Sequence, residues 1–112
     1  MDYDIAGSYN EENGSWEITL TGEFDIFNSV NLKNELNKFI EENNADLVLD
    51  CDTLSYMDST SIGSLVAVLK NVKAYGGKVV LRELKPNLLK LFRITNLNKV
   101  FEIEGEANDR DE

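Results

Sequence analysis

The chain contains no histidine. That absence removes the commonest general base, the usual zinc ligand and every Ser-His-Asp arrangement in one step. Any enzyme built on this sequence would have to work with carboxylates, hydroxyls or lysines. There is one cysteine, Cys51, so no internal disulfide can form. Its place at the end of the apolar run LVLDC reads as a small buried hydrophobe, not a reactive thiol. Positive charge is scarce, with 11 Lys and Arg against 21 Asp and Glu and a formal net charge of -10. Neutralising phosphates needs the opposite sign, which disfavours nucleic acid and anionic membrane surfaces and favours a partner with a basic face. The opening residues MDYDIAGSYN have no basic, apolar leader, and no stretch approaches the ~20 apolar residues that a bilayer span requires. A cytoplasmic protein without metal or cofactor is expected.

What is present points to one folded domain. A chain of 112 residues is the size of a single domain. With 42% hydrophobic and 29% charged residues it has enough apolar content to exclude wholesale disorder. Tyr3 to Tyr9 and Ser15 to Thr21 flank the turn-like EENG, and Trp16, Ile18 and Leu20 alternate with Glu17, Thr19 and Thr21, which predicts a β-hairpin with one buried face. Leu32, Leu36, Phe39 and Ile40 share one stripe of a helix over Asn28 to Glu42. The short run Ala45 to Asp50 predicts a strand covered on both faces. Ile62, Leu65, Val66, Leu69 and Val72 recur at helical spacing from Thr60 to Tyr75, where Gly76-Gly77 stops the helix. On that helix Ala67 and Val68 fall off the apolar stripe. They mark either a slim face for a partner or a helix buried on more than one side.

Lys78 to Leu81 predicts another strand, Pro86 opens a short helix carrying Leu88, Leu91 and Phe92, and a last strand is expected over Val100 to Ile103. The order ββαβαβα, with a possible final β, gives an α/β fold with a mixed four- to five-stranded β-sheet and helices packed on it. Residues 1–103 form the domain, and the acidic tail EGEANDRDE (104–112) is expected to fray.

The stretch SYMDSTSIGSL (Ser55 to Leu65) carries the functional question. Asp58, Ser59, Thr60 and Ser61 are all favoured at helix starts, where their oxygens accept bonds from unpaired backbone N–H groups. A cap accounts for one of them, not four. A hydroxyl in the first turn, after the expected loop Asp52 to Met57, is also reachable by another protein's active site. A phosphate there would add about -1.5 to -2 charge where the helix end tolerates it. Ser55, Thr60 and Ser64 read as loop, capping and helix-surface residues. Asp25 reads equally as an Asx cap of the following helix and as part of a partner surface.

At these residues the chain resembles the STAS family, specifically bacterial anti-sigma-factor antagonists. Met57-Asp58-Ser59-Thr60-Ser61-Ile62-Gly63 resembles the signature MDS[ST]G[LI]G. LTGEFD (Leu20 to Asp25) resembles LxGELD, VLDCDTLSYMDS matches the family's strand and loop, and LLKLFRITNLNKVF (Leu88 to Phe101) resembles LxxLFxxTGLxxxF. The resemblance implies a single STAS domain that is not an enzyme. It implies binding to an anti-sigma factor serine kinase, release on phosphorylation of Ser59, and resetting by a PP2C-type phosphatase. Asp25, Asp58, Ser59, Thr60, Ser61 and Gly63 would then line the partner surface. The chain departs from the pattern at Ser61 and Asn96, where the family has glycine. Asn96 is the mild change, since Asn tolerates a left-handed backbone. Ser61 adds a Cβ and hydroxyl beside the acceptor, either narrowing a kinase's approach or offering a competing acceptor. The alternatives are a non-phosphorylated STAS scaffold or accessory subunit, in a stressosome-like or lipid-transport assembly, and a hydrolase with Ser59 as nucleophile. The hydrolase lacks both a histidine base and a GxSxG elbow.

Overall fold

Alternation of apolar and polar residues yields the hairpin it predicts, in a computed structural model that describes residues 2–105. Strands β1 (Tyr3–Asn10) and β2 (Ser15–Phe24) pair antiparallel, with Tyr9 opposite Trp16. Gly14, at φ 68°, makes the left-handed turn, and its N–H donates to the Asn10 carbonyl at 2.8 Å. Helix α1 (Ser29–Glu42) buries Leu32, Leu36 and Ile40 on one stripe. Burial of each such side chain stabilises by about 1.5–3 kcal/mol. β3 (Asp46–Asp50), β4 (Leu54–Met57), α2 (Ser59–Ala74), β5 (Val79–Arg82) and α3 (Pro86–Ile94) follow. A one-turn 3₁₀ helix (Leu97–Lys99) then leads to β6 (Glu102–Glu104).

The sheet runs β1-β2-β3-β5-β6, with β4 paired to the far end of β2. Only the hairpin is antiparallel; β2–β3, β3–β5 and β5–β6 are parallel, so the sheet is mixed as expected. Its sixth strand, β4, lies inside the stretch Asp52 to Met57 that was expected to be loop. Leu54 and Met57 are buried while Ser55 and Tyr56 are exposed, a spacing of three that does not carry the period-two signal of a strand. The pairing of β4 with β2 also shifts register between Gly22 and Glu23. Gly22, beside this shift, has φ 91°, and a Cβ there would meet the Asp2 backbone on the β1 side, so glycine is what fits. β6 takes in Glu104, one residue past the expected domain boundary, and leaves out Val100 and Phe101. Residues 106–112 of the acidic tail lie outside the described residues.

Leu47 and Leu49 of β3 and Val79 and Leu81 of β5 join the core built with the buried apolar side chains of all three helices. Val48 and Val80 stand outside that core, on the opposite face among Glu17, Lys78 and Arg82. β3 is therefore covered by helices on one face and by neighbouring strand side chains on the other, not by helices on both. α2 packs on α1 as well as on the sheet. The Ser64 hydroxyl donates to the Ser29 carbonyl at 2.8 Å, and Asn71 donates to the Asn37 side chain at 3.1 Å. Ser64 is thus buried, not on the helix surface. Val68, 1% exposed, belongs to the core instead of a free face, and of the off-stripe pair only Ala67 is half-buried.

Candidate functional site

The end of β2, the turn after it, the end of β4 and the start of α2 converge because parallel pairing sets Phe24 beside Met57. Phe24 is fully buried and anchors this junction. Asp58 is the N-cap of α2, with an extended backbone at φ -101° and ψ -178°. Its Oδ1 accepts from the Ser61 N–H at 2.9 Å, and Ser61 Oγ accepts from the Asp58 N–H at 3.0 Å. This reciprocal pair is a capping box with serine in the role usually taken by Glu or Gln.

Ser61 Oγ reaches three acceptors with its single proton. The Phe24 carbonyl lies at 2.9 Å, the Asp58 carbonyl at 3.0 Å and Asp58 Oδ1 at 3.1 Å. The residue is 0% exposed. Ser61 therefore corrects its expected place on the partner surface: it neither narrows an approach from outside nor offers a competing acceptor. Its hydroxyl points inward because the Phe24 carbonyl is there to receive it.

The second oxygen of Asp58 has its own task. Oδ2 accepts from the Ile26 N–H at 3.0 Å, so one carboxylate ties the start of α2 to the turn after β2. The Ser61 N–H holds the Asp58 carboxyl below the usual aspartate range; burial opposes it, and the Ser61 hydroxyl and the Ile26 and Thr60 N–H groups reinforce it. A carboxylate so engaged is a poor general base.

Ser59 occupies the first helical position, exposed, with no side-chain hydrogen bond to any described residue. Thr60 is also exposed and does not cap the helix; Asp58 does. Gly63 is exposed on the next turn, where an added Cβ would meet nothing within 4 Å, so sterics alone do not demand glycine there. Asp58, Ser59, Thr60 and Gly63 thus cluster at one open end of α2. Asp25 joins them across the turn, where its Oδ1 accepts from the Phe27 N–H at 2.9 Å. It forms an Asx turn, while the cap position of α1 belongs to Asn28. Asn28 Oδ1 accepts from the Asp25 N–H at 2.8 Å, and its Nδ2 donates to the Glu23 carbonyl at 2.9 Å.

Sequence reading missed two features of this site. Asn28 is a buried polar residue that locks the turn, and an Asn directly before a helical pattern was the available signal. Ile26, Phe27 and Val30 are exposed apolar side chains at the same end, 62%, 92% and 62% accessible. Nothing in local periodicity separates such residues from a core.

Cys51, the residue after β3, is buried, its thiol pushed up to about 12 by burial first and by the neighbouring Asp50 charge second. At the far end of the chain Asn96 adopts φ 63°, the left-handed conformation expected where the pattern has glycine. Among the described residues no helix is long and apolar enough to cross a membrane.

The sequence profile of the STAS domain matches residues 9–109. The anti-sigma-B factor antagonist of Bacillus subtilis is 34% identical over 91 residues, covering 81% of this chain and 83% of the relative. The crystal structure of an anti-sigma factor antagonist from Mycobacterium paratuberculosis superposes with a TM-score of 0.77 at 20% identity, over 96% of this chain and 90% of that one. The Bacillus cell fate determinant SpoIIAA in its phosphorylated form gives 0.67 at 21% identity, over 99% and 100% of the two chains. Both structures share the fold described above.

Proposed function

Since the chain belongs to the STAS domain family, we propose that it is an anti-sigma-factor antagonist switched by phosphorylation of Ser59. Unphosphorylated, it binds an anti-sigma serine kinase and so frees the sigma factor. Once Ser59 carries phosphate the two separate, and a PP2C-type phosphatase restores the binding form. The observation that carries this reading is the contrast between neighbouring hydroxyls. The Ser59 side chain is exposed with no hydrogen-bond partner among the described residues, while Ser61, two residues on, is 0% exposed and committed to the cap.

The chemistry supports a substrate more than a catalyst. In a chain without histidine, whose Asp58 carboxylate already accepts from the Ile26 and Ser61 N–H groups, no group among the described residues is poised to activate Ser59. The base must come from the partner. For transfer, the Ser59 hydroxyl has to sit in line with the γ-phosphate of the kinase's nucleotide. A phosphoserine in that place collides with the γ-phosphate of the next ATP, both sterically and by like charge. The helix N-terminus meanwhile tolerates the added dianion, so the domain stays folded while the complex is lost. A Ser61 that obstructed the kinase would favour the non-phosphorylated scaffold, and its buried, inward hydroxyl removes that support.

The test is to incubate the chain with its cognate serine kinase and ATP and to map phosphate by mass spectrometry. Phosphate on Ser59, loss of kinase binding in Ser59→Asp and retained binding in Ser59→Ala are expected. A kinase that binds the chain yet leaves Ser59 unmodified would sink the switch and promote the scaffold.

A further inference from the structure

The most exposed large apolar side chain among the described residues, Phe27, stands on the turn that is tied to Asp58, the residue before Ser59. Phe27 is 92% accessible, and Ile26 and Val30, within four residues of it, are each 62% accessible. An aromatic ring left almost wholly in water next to a functional residue is the mark of an interface.

The segment that carries it is held firmly. The Ile26 N–H donates to Asp58 Oδ2 at 3.0 Å and the Phe27 N–H to Asp25 Oδ1 at 2.9 Å. The Asn28 N–H donates to the Asp25 carbonyl at 3.2 Å, and Asn28 Oδ1 accepts from the Asp25 N–H at 2.8 Å. These bonds fix backbone and leave the apolar side chains outside. A tip already in one conformation loses little entropy when it docks. Asp58 is also the residue immediately before Ser59, so the tip and the acceptor hydroxyl share one frame.

From this we infer that Phe27, flanked by Ile26 and Val30, is the apolar anchor by which the chain docks on its kinase. The inference rests on the function proposed above. The fitting surface on the partner is an apolar pocket with cationic side chains on the side that meets Asp25 and Asp58. Charge decides between this occupant and a second copy of the chain. A symmetric contact through the same tip would bring the Asp25 and Asp58 carboxylates of both copies together, in a molecule that already carries a net charge of -10. A basic-rimmed kinase pocket meets no such opposition.

The experiment measures binding of each anti-sigma serine kinase of the source organism to the wild-type chain, then to Phe27→Ala, Phe27→Leu and Val100→Ala. Val100, 44% exposed, lies beside Lys70 and Lys73 at the other end of α2 and serves as the distant apolar control. Phe27→Ala is expected to weaken binding at least about 30-fold, mostly through faster dissociation, as a central aromatic anchor does. Phe27→Leu should recover much of that loss and Val100→Ala should stay within about twofold of wild type. Removing so exposed a ring leaves the fold intact, which an unchanged melting temperature verifies. Binding by Phe27→Ala within about twofold of wild type overturns the anchor while leaving the proposed function standing. If no kinase binds the wild-type chain, the function fails and the anchor with it. If sedimentation shows a dimer that Phe27→Ala dissolves, the occupant is a second copy and the kinase assignment is wrong.

Discussion

Replacing Ser61 by alanine removes an oxygen that both accepts from the Asp58 N–H and donates to the Phe24 carbonyl. The magnitude follows from what is left behind. The Asp58 N–H and the Phe24 carbonyl still face each other at 3.2 Å, so neither becomes a buried orphan. The loss is then that of one half of a capping box in a fully buried position, about 1–2 kcal/mol. Glycine, the residue of the family pattern, loses the same bonds and adds about 0.5–1 kcal/mol of backbone freedom in the first turn of α2. For a domain of this size about 1 kcal/mol moves the melting temperature by about 4 °C. Ser61→Ala should therefore melt about 4–8 °C below wild type and Ser61→Gly a few degrees lower again, with urea midpoints falling in the same order. Both variants keep Ser59 exposed, so kinase-dependent phosphate should still map to Ser59. A Ser61→Ala protein as stable as wild type, or phosphate on Ser61 in the folded chain, would refute the inward-facing assignment.

Cys51, with its thiol pushed up to about 12 and its side chain buried, should not react with Ellman's reagent at pH 8 in the folded protein. It should release one equivalent of colour in denaturant; rapid labelling of the native chain would contradict its burial. The Asp58 carboxyl is depressed below its ordinary 3.8, chiefly by the Ser61 N–H. Because the folded value is the lower one, its contribution is complete above the unfolded pKa and disappears as pH falls through the folded value. The melting-temperature gap between wild type and Asp58→Asn should be full near neutrality and close progressively below about pH 4; a gap that widens on acidification reverses the sign and the explanation. Asn96, at φ 63°, should tolerate glycine with little change in stability but lose about 1 kcal/mol on mutation to alanine, measured by urea denaturation.

The elements that the sequence announced are those whose signal is local. Helices α1 and α2 follow from apolar side chains three and four residues apart, the hairpin from alternation about EENG, and α3 from a proline at its first position. Gly76 ends α2 at φ 85°, with its N–H on the Lys73 carbonyl at 3.0 Å. The candidate site was legible as a cluster of capping residue types, among which the structure leaves the Ser59 and Thr60 hydroxyls exposed. What stayed hidden depends on partners far along the chain. β4 exists because β2 offers an edge more than thirty residues earlier, and the direction of the Ser61 hydroxyl is set by the Phe24 carbonyl, 37 positions away. Phe27 was silent for a related reason: apolar residues in a turn look the same in sequence whether they point in or out.

The strand order carries one more consequence. Apart from β4, each strand of β1-β2-β3-β5-β6 lies beside the one that precedes it in the chain. A nascent polypeptide emerging from the ribosome can therefore lay down this sheet in a single direction, each crossover helix returning the chain to a ledge already built. Growth adds strands at one edge while β1 stays at the other, and the hairpin that starts it needs only neighbours in sequence. β4 alone must find an earlier partner by turning back, and that backward step joins β2 to the very end of α2 on which Ser59 is displayed. The candidate site is thus assembled by the one pairing that departs from the order of synthesis.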